Sequence, residues 1–294
     1  MLCITETSTF IHSLMKFLAY ITYKTYKIGV IIFMKTILIS NIKGGTGKST
    51  TSINLACILA RDAKVLVIDA DVQKNTTYAL GGETEGVGTL YDILVADPKI
   101  DLDKVIQKTQ WENLDIIASD DLLSEAVISM QADTIKGLFA MKNIITRVTK
   151  ERNYDYVVID TNPQADIILR ACMICADEMI IPVLADMWSL MGISRLSEEV
   201  SAVHEQLNPT LRVSGILLCN YEKGTNMGKD MGANYKEIAE AVGTEFFETR
   251  ISKSVKVSEA ITKHRLPVVA WKPSCSVSLD YENWVEELKE KEII

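Results

Sequence analysis

One glycine-rich stretch has side chains of the types, and at the spacing, needed to hold a phosphate. It reads Ser40-Asn41-Ile42-Lys43-Gly44-Gly45-Thr46-Gly47-Lys48-Ser49-Thr50-Thr51. An apolar run precedes it and a helical pattern follows it, which is the order of strand, glycine loop and helix that defines a P-loop. Glycines let the backbone turn tightly and point its N–H groups at an anion, and the positive end of the helix adds to the attraction. The stretch predicts a nucleotide site formed by Gly44, Gly45, Thr46, Gly47, Lys48, Ser49 and Thr50.

Two further stretches place carboxylates at the ends of apolar runs. Asp69 and Asp71 follow Val67-Ile68, and Asp160 ends the run 156–159. The carboxyl ends of parallel strands are where α/β sheets bind ligands. Asp160 has the arrangement of a Walker B carboxylate, which reaches Mg²⁺ through water, and Ser49 is the hydroxyl that a P-loop offers to the same ion. The other two carboxylates can hold a metal-bound water and orient an attacking one, so the expected ligands are ATP and Mg²⁺.

The elements that must position these residues follow an alternating pattern from Met34 onward. Buried strands are predicted at 36–40, 65–69, 114–118, 156–160, 179–184 and 213–219. Helices are predicted at 48–61, 89–96, 134–150, 165–176, 188–206 and 232–242. This alternation predicts an α/β fold of the P-loop NTPase type, a mostly parallel twisted sheet with helices on both faces. Because no low-complexity linker interrupts it, 34–294 is expected to form one domain.

Charge and cysteine content narrow the possible functions. The net charge is −8, so any binding of nucleic acid must come from a local basic patch. The six cysteines lack the spacing of a disulfide framework, which favours reduced thiols in a cytoplasmic protein. Cys172 and Cys175 lie three residues apart in an apolar helical pattern, so we expect them to be buried hydrophobic residues. That expectation argues against a metabolic P-loop protein that carries a metal cluster.

A second lysine in the loop indicates a particular family. Lys43 stands at the start of K-G-G-T-G-K-S, and with it the sequence resembles the ParA/MinD family of deviant Walker ATPases over about 35–267. The resemblance is closest to the small ParA-type, Soj-like ATPases that partition DNA. It implies an ATP-dependent sandwich homodimer in which Lys43, a catalytic residue together with Lys48, reaches the phosphates of the partner.

The same resemblance assigns roles to the acidic strand ends. The segment 69–75 resembles the family pattern D-x-D-P-Q-x-N, which implies that Asp71 activates the attacking water and that Asp69 supports the metal site. Val72 stands where the family has proline, and Asn162 departs from the D-x-P-P that usually contains the Walker B residue. Asn220, at the end of a predicted strand, either contacts adenine or serves as an ordinary strand cap.

The segment 250–265 holds the main local excess of positive charge. It contains five Lys or Arg residues and one acid, Glu259. Its first part resembles the family segment I-P-R-n-V-R-l-S-E-A, with Ser252 in the place of proline, which implies non-specific DNA binding by Arg250, Lys253 and Lys256. Without the resemblance, a solvated charged face is the ordinary interpretation. The tail that follows is an acidic amphipathic helix, the wrong charge for anionic lipid.

The predicted function is a ParA-like ATPase that segregates plasmid, mobile-element or chromosomal DNA. It would bind DNA as an ATP-dependent dimer, hydrolyse ATP when a ParB-like partner stimulates it, and act in the cytoplasm on the nucleoid. The alternative is a MinD-like ATPase at the membrane, for which the only support is the apolar extension 1–33, where Lys16, Lys24 and Lys27 interrupt the run. We expect Met34 to be the working start of translation, in which case this extension is not translated.

Overall fold

The strands that carry the predicted carboxylates lie at the centre of an eight-stranded sheet. In the computed structural model, residues 34–222, 235–241 and 243–294 are described, with only the backbone given for 187–191; the expectations for 1–33 fall outside these residues. The strand order is β3-β4-β2-β5-β1-β6-β7-β8. The strands are β1 Lys35–Ile39, β2 Val65–Ala70, β3 Ile106–Lys108, β4 Leu114–Ile117, β5 Tyr156–Thr161, β6 Glu178–Leu184, β7 Arg212–Tyr221 and β8 Phe246–Ser252.

The sheet is parallel except for its first strand, β3, which pairs antiparallel with β4. Every residue of β2 and β4 is buried, as expected for parallel strands covered on both faces. Successive side chains point to opposite faces, so Leu38 and Ile68 join one apolar cluster while Ile37 and Val67 join the other. The predicted fold, a mostly parallel sheet between two layers of helices, is confirmed.

Helices of different parts of the chain cover the two faces. They are α1 Lys48–Leu59, α2 Asn75–Leu80, α3 Leu123–Ala132, α4 Thr134–Glu151, α5 Ile167–Cys175, α6 Met187–Gln206, α7 235–241, α8 Val255–His264, α9 Val268–Trp271 and α10 Ser276–Glu290. Residues of α3 to α7 belong to one cluster, and residues of α1 and α8 to α10 belong to the other. Among the described helices, none has the length and apolar character needed to cross a membrane.

Several elements were not predicted from the sequence. Strands β3 and β8 lie at the two ends of the sheet. Strand β3 has only three residues, and β8 mixes apolar and polar residues without a regular alternation. Helix α3 was missed because it carries an exposed apolar side chain, Ile128, that blurs its amphipathic pattern. The helix predicted over 89–96 is a single π-helical turn, Asp92–Ala96.

The acidic C-terminal helix has a structural role. Helix α10 buries Tyr281, Trp284, Val285 and Leu288 against the sheet. Its carboxylates also accept hydrogen bonds from the backbone of β8: Asp280 from the N–H of Ser252 at 2.8 Å, and Glu287 from the N–H groups of Glu248 and Thr249 at 2.8 and 3.0 Å. The acidic residues of the tail therefore bind the outermost strand of the sheet.

Gly215 in β7 provides a test of this packing. A Cβ at this position would lie 2.5 Å from Cζ and 2.6 Å from Cε2 of Phe247, whose fully buried ring packs edge-on against Trp284. Overpacking a tight core typically costs about 1–3 kcal/mol. We expect Gly215→Ala to lower the free energy of unfolding by about this amount in urea denaturation.

The double variant Gly215→Ala/Phe247→Leu is the control, because leucine lacks the outer ring atoms that alanine would meet. Its loss of stability should be smaller than the sum of the two single losses. Strictly additive losses would contradict the proposed clash.

Candidate active site

The glycine-rich loop connects β1 to α1 at the carboxyl edge of the sheet. Gly45 and Gly47 have φ angles of 74° and 92°, in the left-handed region that favours glycine. Gly47 is the residue that precedes α1, and its carbonyl accepts the N–H of Thr51 at 2.8 Å. The loop therefore delivers the N-terminal end of α1 to the point where β1, β2 and β5 end.

A cavity of about 410 Å³ lies against this loop. The predicted residues that line it are Gly44, Gly45, Gly47, Lys48, Ser49, Thr50 and Asp71. A Cβ placed on Gly44 or Gly45 would meet no heavy atom within 4 Å, so their backbone faces open space. The predicted P-loop residues thus surround a cavity whose lining of backbone and a lysine suits a polyphosphate.

Lys48 is a buried cation at the base of this cavity. Its ammonium group donates a hydrogen bond to the carbonyl oxygen of Lys43 at 3.1 Å, and the residue is only 6% exposed. Burial lowers the pKa of Lys48, while the nearby charges of Asp160 and Asp71 act to raise it. A phosphate would give this ammonium group a charged partner in place of a neutral carbonyl.

Asp69 and Asp160 are aligned on neighbouring strands. They are partners in the register of β2 and β5, and both are fully buried. Burial is the main cause that raises the pKa of each carboxyl group, and the charge of Asp160 further raises the pKa of Asp69. Hydrogen bonds from Ser49 and Thr76 act to lower the pKa of Asp160.

The two carboxylates differ in what surrounds them. One oxygen of Asp69 accepts from the N–H and the hydroxyl of Thr77, each at 2.7 Å, and the other accepts from the N–H of Asp71 at 3.1 Å. Asp160 accepts instead from the hydroxyls of Ser52 at 3.2 Å and Thr76 at 2.8 Å. Asp160 thus sits among hydroxyls next to the P-loop, while Asp69 holds the backbone of the strand that leads to Asp71.

Asp71 lies at the wall of the phosphate cavity. It is 5% exposed, and its Oδ1 accepts the N–H of Gln73 at 3.0 Å. Val72, which replaces the family's proline, packs partly buried against the core. Asn75 begins α2 and also lines the cavity. It stands at the Asn position of the D-x-D-P-Q-x-N pattern, a signal that could have identified it as a site residue.

A second cavity, of about 230 Å³, adjoins the loop and holds the predicted residues Thr46 and Asn220. Asn220, at the end of β7, has a φ of 55°. The opposite wall is formed by 251–258 with Tyr281, and Ile261 of α8 reaches the phosphate cavity. The sequence had indicated only DNA binding for this segment; the structure places its inner side against the nucleotide site. The adenine contact of Asn220 stays a prediction.

Lys43 lies at the outer side of the loop. Its ammonium group donates to both carboxylate oxygens of Asp186, at 2.5 and 2.7 Å. The two side chains are 25% and 31% exposed. No local sequence pattern indicated Asp186, which is 143 residues from Lys43 along the chain.

The three residues predicted to bind DNA lie around the start of α8, outside the two cavities. Arg250 packs over the ring of Tyr221 at 5.1 Å, and Lys253 forms an exposed ion pair with Glu222 at 2.5 Å. Ser254 caps α8 by accepting the N–H of Lys256 at 3.3 Å. The N–H of Ser252, which the family's proline would lack, donates to Asp280.

The cysteine pair matches the expectation of burial only in part, because Cys172 is buried and Cys175 is half-buried. Cys172 is fully buried on α5, and burial raises its pKa well above the ordinary value. Cys175 directs its thiol to the carbonyl oxygen of Cys172 at 3.2 Å. Within the described part of the chain, no cluster of three or more His, Cys, Asp or Glu residues could hold a metal ion.

Comparison with known proteins agrees with this geometry. A family model described as an AAA domain matches residues 34–213. The chain is 35% identical over 241 residues to the sporulation initiation inhibitor protein Soj of Bacillus subtilis. The aligned region covers 81% of this chain and 92% of Soj. It is 30% identical over 261 residues to the chromosome partitioning protein ParA of Caulobacter vibrioides. The aligned region covers 88% of this chain and 95% of that protein.

Among solved structures, the fold is similar to that of a McdA variant from Cyanothece in complex with ATP. The TM-score is 0.76 at 26% identity, and the match covers 87% of this chain and 96% of that one. The site and these matches define an ATPase of the P-loop class that uses ATP and Mg²⁺. The chain belongs to the ParA/MinD family, in which it is a ParA-like ATPase.

The residues present fit a magnesium ion as well as a triphosphate. Mg²⁺ prefers oxygen ligands and keeps several of its waters. The hydroxyl of Ser49 lines the cavity, and the carboxylate of Asp160 accepts a hydrogen bond from Ser49 directly behind it, so these are the two oxygen ligands that would hold the ion. When bound, Mg²⁺ would neutralise part of the charge on the phosphates.

Lys48 is expected to be indispensable for nucleotide binding. Lys48→Ala removes the buried cation of the cavity, a loss that typically costs about 2–5 kcal/mol when a charged partner stays behind. We therefore expect ATP affinity, measured by isothermal titration calorimetry, to fall by about 30-fold or more.

Lys64→Ala is the matched control, since Lys64 is an exposed lysine just before β2, at the opposite edge of the sheet. Its ATP affinity should equal that of the wild type. If Lys48→Ala bound ATP as tightly as this control, the P-loop assignment would be wrong.

Proposed function

We propose that this ParA-like ATPase segregates DNA. In this proposal ATP drives a sandwich homodimer, the dimer binds DNA non-specifically, and a ParB-like partner stimulates hydrolysis and release in the cytoplasm, on the nucleoid. The observation that carries the proposal is the double use of α8: its inner side lines the nucleotide cavities, and its beginning bears the basic residues predicted to bind DNA.

The contacts of α8 support a link between nucleotide and DNA. Val257 and Ser258 line the smaller cavity, and Ile261 lines the phosphate cavity. Lys256 lies on the same helix, and Lys253 precedes its capping residue. A nucleotide that fills these cavities would press on one side of α8 and so influence how the helix presents its lysines.

The ion pair of Lys253 is consistent with a role in binding phosphate. Lys253 and Glu222 are 58% and 53% exposed, and exposed pairs of this kind contribute about 0–1 kcal/mol. A DNA phosphate therefore competes with a weak partner. Such contacts carry affinity and no sequence preference, in keeping with non-specific binding.

The relatives support the biological setting of the proposal. The names of the matched proteins include a chromosome partitioning protein ParA and a chromosome-partitioning ATPase Soj of Treponema pallidum, which is 31% identical over 255 residues. A plasmid partition protein of Borrelia burgdorferi has a similar structure, with a TM-score of 0.66 at 28% identity. We extend to this chain the process that these names state, and with it a ParB-like partner.

The C-terminal helix argues against the membrane alternative. The apolar side chains of α10, among them Trp284 and Leu288, are buried against the sheet. Its outward side carries acidic residues such as Glu286, which anionic lipid would repel. The extension 1–33, on which that alternative was based, lies outside the described residues.

For hydrolysis we propose distinct roles for the three acidic strand-end residues. Asp71, at the cavity wall, would orient the attacking water, and Asp160 would hold Mg²⁺ through water. Asp69 would support the site by fixing the backbone at Asp71, because the structure already gives both of its oxygens hydrogen-bond donors. Lys43 would act across the dimer and Lys48 within its own protomer.

DNA binding by the lysines at α8 is the test of the proposal. A dimer that uses Lys253 and Lys256 twice makes about four phosphate contacts, and each adds roughly 0.9 to the log–log salt slope. Fluorescence anisotropy should show DNA binding that requires ATP and weakens steeply with salt. Lys253→Glu/Lys256→Glu should abolish this binding and leave ATP affinity unchanged.

The control is Lys99→Glu/Lys104→Glu, which changes the charge equally beside β3, at the far end of the sheet. It should bind DNA nearly as the wild type does. If the double variant at α8 also bound DNA normally, the basic segment would be a solvated face. A wild type that ignored DNA but floated with anionic liposomes in ATP would favour the membrane alternative.

The role of Asp71 leads to a kinetic prediction. Asp71→Asn keeps an oxygen for the N–H of Gln73 but removes the negative charge, and loss of such a group typically lowers turnover about 10²- to 10⁴-fold. We expect this fall in phosphate release, with ATP binding retained and a longer-lived complex with DNA.

Asp62→Asn, an exposed aspartate after α1, should leave turnover unchanged. Normal turnover in Asp71→Asn would move the catalytic role to another carboxylate, with Asp69 the first candidate.

A further inference from the structure

The ion pair between Lys43 and Asp186 has a consequence for the dimer. Both oxygens of the carboxylate accept hydrogen bonds from the ammonium group, so the charge of Lys43 is already compensated within its own protomer. In the proposed function the same charge must reach the phosphates of the partner. One ammonium group would have to satisfy two competing sets of anionic oxygens.

Neighbouring groups hold the backbone of Asp186 in place. The hydroxyl of Tyr235, a fully buried residue of α7, donates to the carbonyl oxygens of Leu184 at 2.5 Å and of Asp186 at 3.3 Å. Asp186 also donates its N–H to the carbonyl oxygen of Leu184 at 2.8 Å. Asp186 has a short side chain on this anchored backbone, whereas Lys43 has a flexible four-carbon side chain that lets its ammonium group move away from the carboxylate.

The backbone of Lys43 is held by contacts that a nucleotide would change. Its N–H donates to Oδ1 of Asn41 at 3.0 Å, and its carbonyl oxygen accepts from Lys48 at 3.1 Å. When the ammonium group of Lys48 turns to a phosphate, this carbonyl loses its donor. Nucleotide binding would thus loosen the loop that carries Lys43 and favour its departure from Asp186.

We propose that Asp186 is a positioning residue that restrains Lys43 within its own protomer and so opposes dimer formation, and that ATP binding weakens this restraint without removing it. This inference rests on the proposed function. Only protomers in which Lys43 has left Asp186 can form the proposed dimer, so the apparent affinity between protomers is lowered by the fraction in that state. This factor applies twice, once for each protomer. Since partly exposed ion pairs are individually weak, release of both restraints should strengthen the dimer by about 5- to 30-fold.

The test compares dimer formation by sedimentation velocity, with Mg²⁺ and a non-hydrolysable ATP analogue, so that turnover plays no part. Asp186→Asn keeps the size of the side chain and removes its charge. We expect its dimer dissociation constant to be about 5- to 30-fold lower than that of the wild type. Asp186→Glu keeps the carboxylate, so its dimer dissociation constant should be close to that of the wild type.

Two further readouts separate a restraint from a merely structural role. The monomer of Asp186→Asn should bind the analogue at least as tightly as the wild-type monomer does, because nucleotide binding and release of Lys43 favour each other. The difference between their dimer constants should shrink as salt screens the ion pair. Glu199→Gln, which breaks the ion pair with Arg170 on the same helix α6, is the matched control and should dimerise as the wild type does.

The outcomes distinguish this inference from the proposed function. If Asp186→Asn dimerises as the wild type does, or more weakly, the restraint is overturned even when Lys43→Ala fails to dimerise as proposed. If Lys43→Ala dimerises normally, the cross-dimer role of Lys43 falls, and the inference falls with it. If neither wild type nor Asp186→Asn forms dimers with the analogue, both are rejected.

Discussion

A buried ammonium group is the feature on which the rest of this structure depends. Lys48 is withdrawn from solvent at the carboxyl edge of the sheet, where Asp160 and Asp71 are the charges that favour its protonated form. Burying a charge is costly unless opposite charges and hydrogen-bond partners are supplied. The strand order supplies them, because β2 and β5 end side by side next to the loop from β1. Anionic phosphates would compensate the charge of Lys48, and a cation bound with them would compensate the charges of the nearby carboxylates.

The outer wall of the site is made by the last part of the chain. Strand β8 and helix α8, although far from the glycine loop in sequence, come back to it, and α10 packs behind them against α1. The elements that would sense a nucleotide base and those that carry the basic residues are therefore one continuous segment. A conformational change in this segment needs no separate transmission path.

The P-loop and the acidic strand ends could be predicted because local pattern decides them. A buried parallel strand followed by glycines or a carboxylate fixes where those residues lie, whatever surrounds them. The contacts that complete the site could not be predicted in this way. Asp186 meets Lys43 from 143 residues away, and the walls formed by Tyr281 and Ile261 depend on how remote helices pack. Departures from the family pattern have local explanations: Asn162 donates to Asp166 and accepts the N–H of Gln164, and Ser252 supplies an N–H to Asp280.

The carboxylates of α10 that bind the backbone of β8 also decide how two copies can meet. An outermost strand normally offers a row of N–H groups to any extended chain, which is the route to strand addition and edge-to-edge aggregation. Here the N–H groups of Glu248, Thr249 and Ser252 are already engaged by the chain's own acidic side chains. Association through a continuous intermolecular sheet is thereby disfavoured at this edge.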